Sequence, residues 1–328
     1  MTDATPESSS FRGPVPALLD GVRVDRAVAL LTGHSRALAA TLVREGRVRV
    51  EGRVVRGGAP LRRDQVIEID DPGAASDLPS PDGTVEFGVA YEDPDLVVVD
   101  KPSGLVVHPG AGRPDGTLVN GLLARYPDMA DLVRSASSSP ERPGIVQRLD
   151  KGTSGLMVVA RTERAVQDLV RQLSQRAVER RYVALVAGRV TEERGVVDAP
   201  IGRSVRAPTR MSVSGGGRSA RTSYRVLERL DAAAPATLLE LSLETGRTHQ
   251  IRVHLAAIGH PVLGDQTYAP KGPRHGALAS MARDRLFLHA ARLGLRHPVS
   301  GEWMRWDSAL PGDLDRVLSE YRQARPPA

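Results

Sequence analysis

The sequence contains no cysteine, few aromatic residues and no long apolar segment, and each absence excludes a class of protein. Without cysteine there can be no disulfide, no thiolate nucleophile and no cysteine-ligated zinc. Aromatic residues are only 3% of the chain, so stacking platforms are not expected to dominate a nucleic-acid site. No segment approaches the roughly 18 consecutive apolar residues of a membrane span, and residues 2–10 lack a signal-peptide core. We therefore expect a soluble, cytoplasmic protein.

Common phosphate-binding, nucleophile and metal motifs are missing as well. There is no Gly-x4-Gly-Lys-Ser/Thr segment, and residues 110–112 lack the third glycine of a dinucleotide fingerprint. Residues 152–155 are one residue too short for a Gly-x-Ser-x-Gly elbow. His249, His254 and His260 lack the His-Glu-x-x-His spacing, so we interpret them as structural residues and expect neither a metal nor a cofactor.

The chain is long enough for two domains and carries a moderate positive charge. Its 328 residues include 45 Lys+Arg and 39 Asp+Glu, a net charge of +6, which favours a polyanionic partner. Arginine greatly outnumbers lysine, and a guanidinium binds phosphate oxygens in a bidentate way. A GC-rich genome also enriches arginine, so charge alone does not identify the partner.

Composition and periodicity divide the chain into four parts. We predict a disordered tail over residues 1–21, a small α/β domain over 22–70, a Pro/Gly/Ser-rich linker over 71–84 and a large domain over 85–328. In the small domain Gly33 can end the first helix and Ser35 can cap the second. Its predicted elements are helices over 24–31 and 36–45, a hairpin of 47–50 and 53–55, and a strand over 65–69.

Arginines lie throughout the small domain, among them Arg26, Arg36, Arg44, Arg47, Arg49, Arg53 and Arg56. Scattered evenly, they would be an ordinary solvated surface. Gathered on one face, they would form a phosphate-binding patch, and their density favours this second interpretation.

The large domain contains many strands and few helices without regular βαβ alternation. This pattern predicts an α+β fold with a largely antiparallel, mixed sheet. We predict a loop over 128–143 and an Arg-rich loop between Arg203 and Arg221. The predicted strands cover 85–91, 96–100, 105–108, 181–186, 220–227, 238–243 and 286–290, and the predicted helices cover 118–125, 163–179 and 311–322.

Two segments of the large domain suggest chemistry. Residues 144–160 place Asp150 in a polar turn directly before an apolar run that predicts a buried strand. Asp150 could be a turn former or a catalytic acid, and the local sequence does not decide between them. Residues 244–254 place Arg247 and Arg252 beside a glycine turn, either as surface charges or as site residues.

Taken together, these segments resemble pseudouridine synthases of the RluA/RluD type. The resemblance covers residues 85–310, and residues 22–70 resemble the small RNA-binding domain of ribosomal protein S-four. The hairpin of that domain departs from the common Asn-Gly turn by using Glu51-Gly52. The matching motifs begin at Asp100, Arg148, Arg181, Glu244 and His260 and follow one another in the order typical of the family.

The resemblance implies the pseudouridine synthase fold and isomerisation of uridine in structured RNA, with large-subunit ribosomal RNA as the expected substrate. We expect the protein to act as a monomer without a cofactor. The matching family motifs imply that Asp150 is the essential carboxylate, that Tyr182 contacts the base and relays a proton, and that Arg252 pairs with Asp150. Arg148 and Arg247 would hold the RNA. A neighbouring guanidinium favours the ionised form of a carboxyl group, as attack at C1′ or removal of a sugar proton requires. Arg36, Arg47 and Arg53 are the expected RNA-binding residues of the small domain.

Gln147 stands where most relatives have His. Since glutamine also donates and accepts hydrogen bonds, we expect activity with altered substrate contacts. The alternatives are a synthase that acts on transfer RNA and a non-catalytic RNA-binding factor in ribosome assembly.

Overall fold

The computed structural model describes residues 11–32, 36–55, 58–70, 78–110, 113–134, 137–139, 141–204, 207, 209–231, 234–269 and 285–324. The chain divides into two compact units, Met1–Pro79 with Ser139–Glu141 and Ser80–Ser138 with Arg142–Ala328. Among the described residues, no helix combines the length and the apolar character that crossing a membrane would need.

The N-terminal unit pairs two helices with a four-stranded antiparallel sheet of order β1-β4-β2-β3. Glu51 and Gly52 have φ of 50° and 71°, so the predicted hairpin turns through two left-handed residues, as a type I′ turn requires. Buried Val24, Val28 and Leu42 form part of its core. The elements are β1 Phe11–Pro14, α1 Val24–Thr32, α2 Arg36–Arg44, β2 Val48–Val50, β3 Arg53–Val54 and β4 Val66–Ile69.

The prediction of a disordered tail over residues 1–21 is wrong for residues 11–21. Phe11 pairs with Ile69 and Pro14 with Val66, so this segment is an edge strand of the sheet. Proline is tolerated there because one side of an edge strand needs no N–H donors. Val15 is buried beside the strand, and its burial offsets the entropy of ordering the segment. Residues 1–10, Gly33 and Ser35 lie outside the described residues.

The C-terminal unit is built on a nine-stranded sheet of order β5-β6-β7-β14-β8-β13-β12-β9, with β15 paired to β14. Every pair of described strands is antiparallel except β7 with β14, so the predicted α+β fold with a largely antiparallel sheet is confirmed. Two short strands, β10 and β11, pair separately, and β11 lies within the region predicted as an Arg-rich loop. The strands are β5 Gly88–Glu92, β6 Leu96–Lys101, β7 Ser154–Ala160, β8 Glu179–Ala187, β9 Arg194–Asp198, β10 Ile201–Arg203, β11 Met211–Val213, β12 Arg221–Leu230, β13 Ala236–Leu243, β14 Leu288–Arg296 and β15 Trp303–Asp307.

Five α-helices of the described ranges accompany this sheet. α5 buries Ala165 and Leu169 among apolar side chains of the sheet, including Leu156 and Val158 of β7. α6 was not predicted because three of its buried residues are polar, which hides the apolar period. The helices are α3 Leu118–Arg125, α4 Asp131–Arg134, α5 Glu163–Ser174, α6 Gln250–Ala257 and α7 Gly312–Gln323.

Three local predictions in this unit are wrong. Residues 105–108 form no strand, because the carbonyls of Val106 and Val107 accept from the first N–H groups of α3 instead. The predicted loop over 128–143 contains α4 and a 3₁₀ helix at Pro127–Ala130. The helix predicted over 163–179 ends at Ser174, because Arg176 has a left-handed φ of 60°.

Candidate active site

The turn that carries Asp150 is fixed by hydrogen bonds behind it. The N–H of Thr153 donates to the carbonyl of Asp150 at 3.0 Å, and β7 begins directly afterwards with every residue buried. The next two carbonyls, of Lys151 and Gly152, accept from other segments. The carbonyl of Lys151 accepts from Gly104 N at 2.8 Å and from Lys101 Nζ at 3.4 Å. The carbonyl of Gly152 accepts from Ser103 Oγ at 2.9 Å and from Arg285 Nη1 at 2.8 Å.

Lys101, one of the donors to the Asp150 turn, is fully buried. Its Nζ also donates to the carbonyls of Pro102 at 2.8 Å and Leu105 at 2.9 Å. Burial lowers the pKa of Lys101 to about 7, the nearby Arg285 adds to this effect, and Asp150 partly opposes it. The lysine therefore joins the end of β6 to the Asp150 turn from inside the protein.

Arg252 is held by two aspartates that lie far from each other in sequence. Its Nη1 donates to Asp150 Oδ2 at 3.0 Å across 102 residues of chain. Its Nε and Nη2 donate to the two oxygens of Asp265 at 2.7 and 2.8 Å, a bidentate pair. Burial disfavours the guanidinium charge, but the two carboxylates more than offset it and raise the pKa of Arg252. One face of the guanidinium lies 5.1 Å from the ring centre of Tyr268.

Asp265 is itself positioned by backbone donors. Its side chain is completely inaccessible, and Oδ1 also accepts from the N–H groups of Thr267 at 2.8 Å and Tyr268 at 3.1 Å. Burial acts to raise the pKa of Asp265, but the hydrogen bonds and charge of Arg252 lower it overall. The ion pair of Arg252 and Asp265 is therefore a rigid support that positions the Asp150 carboxylate.

His249 borders the same carboxylate. Met211 N donates to Tyr268 Oη at 3.1 Å, so the phenol proton is available for His249 Nδ1 at 2.8 Å. This arrangement places the imidazole proton on Nε2, which faces Asp150 Oδ1 at 3.9 Å. Burial lowers the pKa of His249, in agreement with a neutral ring.

Tyr182 approaches from the central sheet. It is buried on β8, and burial raises the pKa of its phenol; Arg180 opposes this shift and Asp150 adds to it. The hydroxyl is therefore protonated at neutral pH. A cavity of about 580 Å³ is lined by both Tyr182 and Asp150.

The structure brings five of the eight predicted site residues together around that cavity. The residues that line it include Asp150, Tyr182, Arg252, Arg148, Arg247 and also Gln147. Arg148 is exposed, and Arg247 Nε donates to the carbonyl of Ser219 at 3.0 Å.

The other three predicted residues lie in the N-terminal unit. The side chain of Arg36, at the start of α2, is outside the described residues. Arg47 forms ion pairs at 3.4 Å with Glu45 and with Asp70, and Arg53 is exposed on β3. The phosphate-binding patch on this unit stays a prediction.

Sequence reasoning missed several residues of the site. Asp265 and Tyr268 belong to the motif that begins at His260, which carried the resemblance but received no role. Lys101 belongs to the motif that begins at Asp100 but also received no role, and Arg285 gave no signal, since the sequence does not reveal that a basic residue will be buried against carbonyls. His249 was interpreted as structural, and its left-handed φ of 57° before α6 turns it toward Asp150.

Comparisons with known proteins agree on one family. The family model described as RNA pseudouridylate synthase matches residues 95–257. The chain is 43% identical to "Ribosomal large subunit pseudouridine synthase D" of Nitrosomonas europaea, over 94% of this chain and 87% of the relative. It is 46% identical to an "Uncharacterized RNA pseudouridine synthase" of Chloroflexus aurantiacus, over 94% of this chain and 92% of the relative.

A solved structure shares the fold. "Human RNA Pseudouridylate Synthase Domain Containing 1" superimposes with a TM-score of 0.54 at 27% identity, over 76% of this chain and 100% of that one.

Proposed function

Since the chain belongs to the RNA pseudouridine synthases of the RluA/RluD type, we propose that it isomerises uridine to pseudouridine in large-subunit ribosomal RNA. Relatives with that substrate in their names align over most of the chain. The observation that carries the assignment of the site is the Asp150 carboxylate held 3.0 Å from the Arg252 guanidinium in a cavity shared with Tyr182.

In the proposed reaction, Asp150 acts at the sugar. The bond between N1 and C1′ breaks, the uracil turns and a bond between C5 and C1′ forms. The proton on C5 leaves to water, and N1 takes up a proton from water. Atoms and electrons balance without an oxidant or a reductant. Arg252 holds the Asp150 carboxylate in position through a hydrogen bond of 3.0 Å, because Asp265 fixes the plane of the guanidinium.

We infer that Tyr182 contacts the base. Burial keeps its phenol protonated. We therefore infer that Tyr182 relays the C5 proton by accepting that proton while it releases its own hydroxyl proton. The target uridine must leave its stack to reach this cavity, at a cost of a few kcal/mol. Contacts from Arg148 and Arg247 to the RNA backbone would offset that cost.

Arg36, Arg47 and Arg53 are proposed to bind RNA phosphates from the N-terminal unit. The charge of this unit and its helix and hairpin pattern support that role. We propose further that the protein acts as a monomer in the cytoplasm and needs no small-molecule cofactor.

The decisive experiment is tritium release from ribosomal RNA labelled at C5 of uridine. The wild-type protein is expected to release tritium, and Asp150→Asn to lose at least about a thousandfold in rate while it still binds RNA, because the amide cannot act at the sugar. Asp231→Asn, a change in an exposed ion pair with Arg189, is the matched control and should stay active. No release by the wild-type protein from any cellular RNA would refute the proposal.

The identity of the RNA needs a separate experiment. Pseudouridines are mapped in RNA from a strain that lacks this chain, with and without the Asp150→Asn gene. Loss at positions in large-subunit ribosomal RNA supports the proposed target, and loss only in transfer RNA rejects it. A ribosome-assembly factor without catalysis would instead predict that Asp150→Asn fully complements the deletion.

A further inference from the structure

Arg180 is a second buried arginine of the cavity. It precedes Tyr182 by two residues on β8, so both side chains lie on the same face of the sheet. Only 9% of the residue is exposed, and its side chain lines the cavity that contains Asp150. Neither the sequence motifs nor the proposed mechanism uses it.

Its contacts are unlike those of Arg252. Nη2 donates at 3.3 Å to the carbonyls of Leu243 and Glu244, and the buried Nε has no partner among the described residues. The Glu244 carboxylate is close in sequence but is bound by Arg176 at 2.9 Å and by Arg221 at 3.3 Å. Within the described part of the chain, Arg180 therefore has neutral acceptors and no carboxylate.

A buried guanidinium without a countercharge is unfavourable. Removing an ion from water costs several kcal/mol unless an opposite charge or a full set of hydrogen bonds compensates. Burial accordingly lowers the pKa of Arg180, and Tyr182 partly opposes this effect. An anion that enters the cavity would remove the imbalance.

The cavity leaves room for such an anion. Gly246 borders the guanidinium, and a Cβ at this position would lie 3.0 Å from Arg180 Nη1. A side chain there would crowd this nitrogen, so glycine leaves space beside it. A guanidinium also offers two parallel N–H donors, the geometry that suits phosphate oxygens.

We propose that Arg180 is a phosphate-binding residue of the active site and takes a backbone phosphate directly beside the flipped uridine. The inference rests on the proposed function, because RNA supplies the phosphate. Placed on the same strand face as Tyr182, Arg180 holds the backbone while Tyr182 contacts the base. Arg180 thereby fixes how far the ribose enters the cavity, and so the distance between C1′ and the Asp150 carboxylate.

The test combines changes in the protein with changes in the RNA. The probe is an RNA oligonucleotide with the mapped target uridine, in which a neutral methylphosphonate replaces one phosphate linkage at a time on either side. For the wild-type protein, one linkage next to the uridine should lower kcat/KM about tenfold or more, as expected for a lost charged hydrogen bond. For Arg180→Gln, the same replacement should have less than about a twofold further effect, because the contact is already absent.

Arg189→Gln is the matched control, since this exposed arginine is paired with Asp231 and is not among the residues that line the cavity. It should keep the wild-type sensitivity at the linkage that Arg180 contacts. Arg180→Lys should retain part of that sensitivity, because the charge stays while the bidentate geometry is lost.

Two results would overturn the assignment: equal activity of the wild-type protein on every methylphosphonate RNA, or unchanged sensitivity in Arg180→Gln. If Arg180→Gln does not fold, a flat scan with the wild-type protein still overturns the assignment, and so does full wild-type sensitivity in Arg180→Lys. An active wild-type protein with a flat scan rejects only the role of Arg180, whereas an inactive wild-type protein rejects the proposed function itself.

Discussion

At the residue scale, the proposed chemistry depends on a chain of three charged side chains. Asp265 binds Arg252 through two hydrogen bonds, and Arg252 presents its remaining edge to Asp150. Asp265 therefore acts through Arg252 and is a positioning residue. A buried pair of this kind is costly to break, because the partner that remains is left as an uncompensated charge.

We predict that Asp265→Asn lowers kcat about a hundredfold with a smaller change in KM, because a displaced Arg252 misplaces the Asp150 carboxylate. The free energy of unfolding should fall by about 3–5 kcal/mol. Tritium release and urea unfolding measure the two effects. Asp307→Asn, which removes an exposed pair with Arg292, is the control and should cost less than about 1 kcal/mol. An unchanged kcat in Asp265→Asn would contradict the positioning role.

At the element scale, the one parallel pair among the described strands of the large sheet sets the position of the Asp150 turn. β7 starts three residues after Lys151 of the turn, and its first two residues pair with His289 and Ala290 of β14. Gly155 has a φ of 107°, and a Cβ there would lie 2.4 Å from the carbonyl oxygen of Ala290. The close approach of the two strands therefore requires glycine.

Gly155→Ala is expected to destabilise the protein by about 3 kcal/mol or more, since the backbone penalty and the steric overlap add. Thermal unfolding measures the loss. Gly104→Ala is a matched control, because Gly104 also has a positive φ, of 88°, but a Cβ there would have no neighbouring atom within 4 Å. It should cost only about 1–2 kcal/mol, the backbone penalty alone. Equal losses in the two variants would show that the strand contact is unimportant.

At the scale of the whole molecule, three histidines that are wholly or partly buried make stability depend on pH. Burial lowers the pKa of His249, His254 and His289 below the usual 6.5. His254 Nε2 donates to the carbonyl of Ala199 at 2.9 Å, which leaves Nδ1 to accept from Thr222 Oγ1. The folded protein thus keeps a neutral ring there, whereas the unfolded chain takes up a proton below the usual pKa.

Stability should therefore decrease as the pH falls through about 6.5, because the unfolded state binds more protons there. The aspartates with lowered pKa values act only near and below 3.8. Lys101, with a folded pKa of about 7, adds a decrease of the same sign, mostly above pH 7, so the comparison with His254→Gln isolates the histidine. We expect a lower Tm at about pH 5.5 than at about pH 7.5. His254→Gln should show a smaller decrease than the wild-type protein. A decrease of the same size in both would exclude His254 as a contributor.

The sequence by itself determined the local elements and the family. The alternation around Glu51-Gly52 and the apolar spacing that predicts a helix from residue 163 each depend on neighbours in the chain. The structure confirms both elements, although the helix ends at Ser174. The α+β class followed from the number and order of these elements. The motif order identified Asp150, Tyr182 and Arg252, which meet in one cavity.

Only the tertiary structure decided which residues support those three. Asp150 meets Arg252 across 102 residues, and Lys101 and Arg285 reach the Asp150 turn from the ends of other segments. Such contacts depend on strand order and burial, which local patterns do not contain. For the same reason residues 105–108 were predicted as a strand although their carbonyls cap α3, and Arg180 became distinctive only when its burial without a carboxylate was seen.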